Sequence, residues 1–118
     1  MVVDELREAE LDRVFHAFAD STRRDIVRRV TGDGLNVSGL ARHYAMSFAA
    51  VQKHVAVLER ACLVTKERRG REQLVRANRD GLERARRLLE EYEAIWRQRA
   101  GRIADILAEG TAQGREAP

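Results

Sequence analysis

The sequence predicts a mainly α fold, five helices with one two-stranded β wing, in a domain over residues 1–109 followed by a disordered tail over 110–118. Three observations predict it. Apolar side chains recur every three to four positions in several stretches, the period of a half-buried helix. Two of those stretches are short and joined only by Ala45-Met46-Ser47. Two β-prone runs flank Arg68-Arg69-Gly70-Arg71-Glu72, where Gly70 has the freedom a hairpin tip needs.

In chain order, Leu6, Leu11, Val14, Phe15 and Phe18 give an amphipathic helix over 4–19. Asp20 or Ser21 caps a second helix running to about Val30, with Ile26, Val27 and Val30 inward and Arg23, Arg24, Arg28 and Arg29 outward. Gly32-Asp33-Gly34 is a loop signal. Asn36 can cap a short third helix, Val37 to Tyr44, and Ser47 a fourth, Phe48 to about Arg60. In the fourth, Val51, Val55 and Leu58 share one face while Gln52, Lys53 and Ala56 point away. Two short helices with so tight a connection form a helix-turn-helix. The hairpin strands are expected over 63–67 and 73–77. Asp80, with Glu83 three residues later, resembles a capping box that opens a long last helix to about Glu109.

A chain of 118 residues has room for one core. No apolar run approaches the roughly 20 residues that cross a bilayer. Met1-Val2-Val3-Asp4-Glu5 is acidic and unlike a signal peptide, and Cys62 is the only cysteine, so the cytoplasm is the expected address. The net charge of +3 hides a segregation. Residues 1–20 carry six acids against two bases, 21–79 thirteen bases against five acids, and 80–118 eight acids against seven bases. A basic middle between neutral or acidic ends suits a module that faces phosphates.

Phe18-Ala19-Asp20-Ser21-Thr22-Arg23-Arg24-Asp25-Ile26-Val27 resembles the ADPTRRxIL opening of ArsR/SmtB-type winged-helix repressors. Met46 to Val64, through Ser47-Phe48-Ala49-Ala50-Val51-Gln52-Lys53-His54, is similar to their LSQPTVSKHLKVLREAGLV recognition segment, and order and spacing match over roughly 11–108. The resemblance implies a winged helix-turn-helix homodimer that binds a double-stranded DNA operator and represses its own or a neighbouring promoter. The residues agree independently. A recognition helix needs short polar side chains in its N-terminal half to reach base edges in the major groove. Ser47, Phe48, Ala49, Gln52, Lys53 and His54 are so placed, His54 either donating to phosphate or bonding a backbone carbonyl. Arg68, Arg69 and Arg71 of the wing would lie over a minor groove or a run of phosphates. Arg23 and Arg24 either contact phosphate or pair with an acidic neighbour. The last helix holds more large apolar residues than a small domain can cover, so with the first helix it forms a dimer interface anchored by Phe15, Leu89, Tyr92, Ile95, Trp96 and Ile103.

Metal sensing in the resembled family uses cysteines before the recognition helix or histidines on the last helix. Here His16, His43 and His54 fall on three helices without i, i+4 pairing, so neither a metal nor another cofactor is expected, and no effector can be named. The pattern is closest to the metal-independent branch, whose last helix carries a segment like Tyr92 to Trp96. Cys62 stands where the family has glycine at the helix exit, and must either take a strained left-handed conformation or use a different turn. A redox-responsive regulator switching through Cys62 is one alternative, and a winged-helix protein-interaction module is another. No catalytic triad, phosphate-cradling glycine loop or metal set supports an enzyme.

Overall fold

A computed structural model describes residues 2–116, with side chains over 5–110. Its elements are α1 (Val2–Phe18), α2 (Ser21–Val30), β1 (Leu35–Asn36), α3 (Val37–Ala41), α4 (Phe48–Arg60), β2 (Val64–Arg69), β3 (Glu72–Ala77) and α5 (Arg79–Glu116). Residues up to Arg86 form one compact unit and those from Arg87 onward a second. The helix expected to stop near Glu109 continues to Glu116, and residues 117–118 of the expected tail lie outside the described residues.

Side-chain caps start the helices where short polar residues precede apolar periodicity. Asp20 Oδ1 accepts from the Arg23 N–H at 3.1 Å, Asn36 Oδ1 from Gly39 at 2.6 Å, and Ser47 Oγ from Ala50 at 3.1 Å. Each satisfies a backbone donor that the helix leaves unpaired. Between these helices lie Ile26, Val30, Leu40, Val51, Val55 and Leu58, joined by Leu63, Val64 and Val75 from the sheet side, all inaccessible to solvent. Side chains of this size each contribute about 1.5–3 kcal/mol when fully buried. From α1, Leu11, Val14 and Ala17 are buried, whereas Leu6 and Phe15 face solvent.

Four local expectations change. The sheet has three strands in the order β1-β3-β2, not two, because Leu35 and Asn36 pair antiparallel with Val75 and Leu74. Two residues are too few to show alternation in sequence. Helix α3 ends at Ala41 rather than Tyr44, since His43 and Tyr44 bond back three residues to Leu40 and Ala41 and tighten the last turn. The hairpin strands run to Arg69 and from Glu72, leaving only Gly70 and Arg71 as loop. Gly70 has φ +64°, as a II′ turn demands at its first loop position. Helix α5 begins at Arg79 with the Asn78 carbonyl accepting from Leu82, so Asp80 and Glu83 lie inside its first turns instead of forming a cap, and Glu83 pairs with Arg86.

The exit of α4 keeps the left-handed turn. Cys62 has φ +61°, with its N–H bonded to the Glu59 carbonyl at 2.9 Å and the Leu63 N–H to Leu58 at 3.0 Å. That pair of bonds is a Schellman motif, and buried Leu58 and Leu63 supply its apolar contact. The cysteine therefore accepts the strain. Replacing Cys62 by glycine is expected to raise stability by about 1 kcal/mol, read as a higher urea midpoint; an unchanged or lower midpoint would contradict the strain.

Candidate nucleic-acid interface

The core face of α4, Val51, Val55 and Leu58, fixes its rotation, so Phe48, Ala49, Gln52 and Lys53 are presented outward, Phe48 with 47% of its surface exposed. Ser47 is exposed too, but its oxygen is already engaged as the α4 cap, leaving its hydroxyl proton to donate. Two grooves border this face. One, of about 420 Å³, runs between Ala49, Gln52 and Lys53 on α4 and Lys66 and Gln73 on the sheet. The other, of about 340 Å³, lies between Ser38, Phe48 and Gln52 and the wing residues Arg68, Arg71 and Gln73. Gln52 and Gln73 line both.

The register separates the three wing arginines. Cross-strand partners share a face of the sheet. Arg68, opposite Gln73, lies on the face that carries buried Val64 and Val75, toward the groove. Arg69, opposite Glu72, lies on the other face and is 3.6 Å from the Glu67 carboxylate. Arg71 is in the loop and lines the groove with Arg68. Ser38 and Gln73 escaped the sequence reading. Gln73 becomes findable once the loop is known to be two residues long, because the count back from Gly70 puts it opposite Arg68.

His54 is half-buried, and its ring Nδ1 is 3.2 Å from an Arg23 guanidinium nitrogen. Guanidinium can only donate, so Nδ1 accepts and the ring proton resides on Nε2. Arg23 also donates to the carbonyls of Ala17 at 2.8 Å and His16 at 2.7 Å, and Arg24 donates to that of Phe18. In the chain as described both side chains donate to backbone carbonyls rather than to an acidic side chain. They satisfy the open carbonyls at the end of α1, where the helix dipole favours a cation, and Arg23 ties that end to α4. The Arg23 N–H, aided by the Arg23 guanidinium charge, holds the Asp20 carboxyl below its ordinary value against the effect of burial.

A second tie fixes the turn before α4. Tyr44 donates its hydroxyl to Asp25 Oδ2 at 2.6 Å, Arg29 Nε donates to the same oxygen at 2.7 Å, and Arg29 lies 6.0 Å from the Tyr44 ring centre. Burial and the Asp25 carboxylate push the Tyr44 hydroxyl up to about 12, while the bonds from Tyr44 and Arg29 hold Asp25 low.

Of the expected dimer anchors, Phe15, Tyr92, Ile95, Trp96 and Ile103 are exposed and Leu89 is half-buried; Ile106 and Leu107 are exposed as well. Among the described residues no three His, Cys, Asp or Glu side chains gather as a metal site, and no helix is long and apolar enough to cross a membrane.

No protein-family model matches the chain. It is 37% identical over 81 residues to the HTH-type transcriptional regulator Rv2034 of Mycobacterium tuberculosis, covering 69% of this chain and 76% of that protein. An ArsR-like transcriptional regulator from Rhodococcus sp. RHA1 has a solved structure that superimposes with a TM-score of 0.69 at 34% identity, over 84% of this chain and 93% of the other. The chain belongs to the ArsR-type transcriptional regulators. Transcriptional repressor SdpR of Bacillus subtilis is a further relative of this regulator, 28% identical over 60 residues, which are 51% of this chain and 67% of SdpR. The match explains why α3, the turn and α4 are followed by a hairpin: this is the winged helix-turn-helix of the family.

Proposed function

We propose that this ArsR-type regulator, of the metal-independent kind, binds double-stranded DNA in the cytoplasm as a homodimer and represses transcription by occupying a promoter, without catalysis. The observation that carries the reading is the outward face of α4, with Gln52 where two grooves meet and Lys53, Lys66, Arg68 and Arg71 along their walls. A major groove about 12 Å wide admits such a helix. Gln52 then makes paired hydrogen bonds to adenine, Phe48 or Ala49 packs on a thymine methyl, and Lys53 reaches guanine or phosphate. The backbone strand between major and minor groove passes between α4 and the wing, where Arg68 and Arg71 meet it. A dimer places two such helices on half-sites about one DNA turn apart, an imperfect palindrome.

Two variants test the roles by titration of a duplex from the protein's own upstream region across salt concentrations. Gln52→Ala is expected to lose about 1–3 kcal/mol of discrimination at one base pair per half-site. The double variant Arg68→Ala, Arg71→Ala is expected to weaken all duplexes alike and to flatten the salt slope by about 2 per chain. Arg69→Ala, on the far face, changes less. Binding to the duplex that hardly responds to salt would contradict the reading and favour a protein-interaction module instead.

A further inference from the structure

The seam between α1 and α4 carries an open groove of about 330 Å³ that DNA recognition does not use. Arg13 and His16 line it from α1, and Val57 and Arg60 from α4. In each helix the two residues are three apart, and so share one face. The neighbouring carboxylates are engaged elsewhere. Glu10 accepts from Arg84 Nε at 2.5 Å and from a second Arg84 nitrogen at 2.9 Å, and Glu59 lies 3.5 Å from Lys66. Among the described residues neither the Arg13 nor the Arg60 guanidinium has a hydrogen bond or ion pair, although Arg13 attracts Glu10 through space. Two forked donors and an imidazole around half-buried Val57, in a space at the small end of the roughly 300–1,000 Å³ range of ligand pockets, suit a compact ligand with several anionic oxygens.

We propose that this groove binds a small polyvalent oxyanion, phosphate- or carboxylate-bearing, and that its occupancy weakens DNA binding. The position supplies the coupling. His16 gives its side chain to the groove and its carbonyl to Arg23, which in turn holds His54, one turn before Val57 on α4. An anion clamped here adds negative charge to the flank of the recognition helix, and linkage makes the effect reciprocal. The coupling rests on the DNA-binding reading; binding of the anion does not.

Calorimetric titration of the full chain with pyrophosphate and with citrate, at constant ionic strength and without DNA, tests the site. One saturable event per chain is expected with at least one of the two. Arg13→Gln and Arg60→Gln should each weaken it by about tenfold or more with unchanged thermal midpoints. If a glutamine variant fails to fold, Arg60→Lys keeps the charge, loses the fork and should still weaken binding. Heats no larger than those of matched sodium chloride, or equal affinity in the variants, overturn the proposal. So does a result in which Arg60→Gln flattens the salt slope of duplex binding while neither probe binds, for then the phosphate held is the DNA's own. In a duplex titration at matched ionic strength, the bound probe should raise the apparent Kd of the unmodified chain but not of Arg60→Gln; no change overturns the coupling. Failure of the unmodified chain to bind any duplex would sink the DNA reading alone, because the calorimetry contains no DNA.

Discussion

Replacing Gly81 by alanine is expected to cost at least about 3 kcal/mol of stability, the upper part of the range for overpacked sites. A helix-interior Gly→Ala change ordinarily stabilises by up to about 1 kcal/mol, so the sign itself is diagnostic. A Cβ at residue 81 would fall 1.5 Å from the Cys62 carbonyl oxygen, 2.7 Å from its carbon and 2.9 Å from Asn78 Nδ2. The clash is with backbone, so no side-chain rotation relieves it. Nor is Cys62 able to retreat, because its own N–H and that of Leu63 are fixed in the turn that ends α4. Moving the start of α5 instead would break the 2.9 Å bond from the Asn78 N–H to the Leu63 carbonyl and withdraw Leu82 and Ala85 from the core. In a domain of this size each kcal/mol moves the thermal midpoint by roughly 4–8 °C, so the circular dichroism melt should fall by well over 10 °C on the same principle. A midpoint equal to that of the unmodified chain would mean that α5 does not start against the α4 exit.

How far these features were visible in the sequence follows from the range of the interactions behind them. The caps at Asp20, Asn36 and Ser47, the core face of α4 and the Gly70 turn depend on residues within four positions of each other, and all were legible apart from the choice between Asp20 and Ser21. The outward Phe48, Ala49, Gln52 and Lys53 follow directly from that core face. What failed was set from far along the chain. Strand β1 exists only because β3, some forty residues later, offers an edge. The sequence around Arg23 allows phosphate or carboxylate as its partner and does not show that its guanidinium meets two carbonyls of the preceding helix and a histidine thirty-one residues away. Arg68 and Arg69 looked equivalent because, with a strand expected to end at residue 67, both fall in the loop; only the longer β2 puts these neighbours on opposite faces. Gly81 gave no signal at all, since a lone glycine in a polar helix shows nothing of the carbonyl packed against it.

Trp96→Glu is expected to convert the regulator from dimer to monomer and to lower its affinity for a palindromic duplex by about a hundredfold or more, the gain that tethering two binding modules usually brings. Trp96 is 64% exposed and Ile95 52% in the chain as described, and Ile103 and Ile106 continue the same side of α5 about two and three turns further on. Isolated helices are marginal in water even when well composed, and an apolar stripe of this length marks a surface that is covered by a partner. A second copy is the partner that a two-fold operator requires. Tryptophan is the side chain most enriched among residues whose loss costs an interface 2 kcal/mol or more, and a carboxylate in its place must be desolvated without a counter-ion. Gln98→Glu is the control, since it adds the same charge about 200° round the helix. Sedimentation at micromolar concentration should show monomer for Trp96→Glu and dimer for Gln98→Glu. Only the first should lose the palindrome while retaining weak, salt-sensitive binding to a single half-site, because the recognition face of each chain is untouched. A Trp96→Glu protein that sediments as a dimer would remove this stripe from the interface.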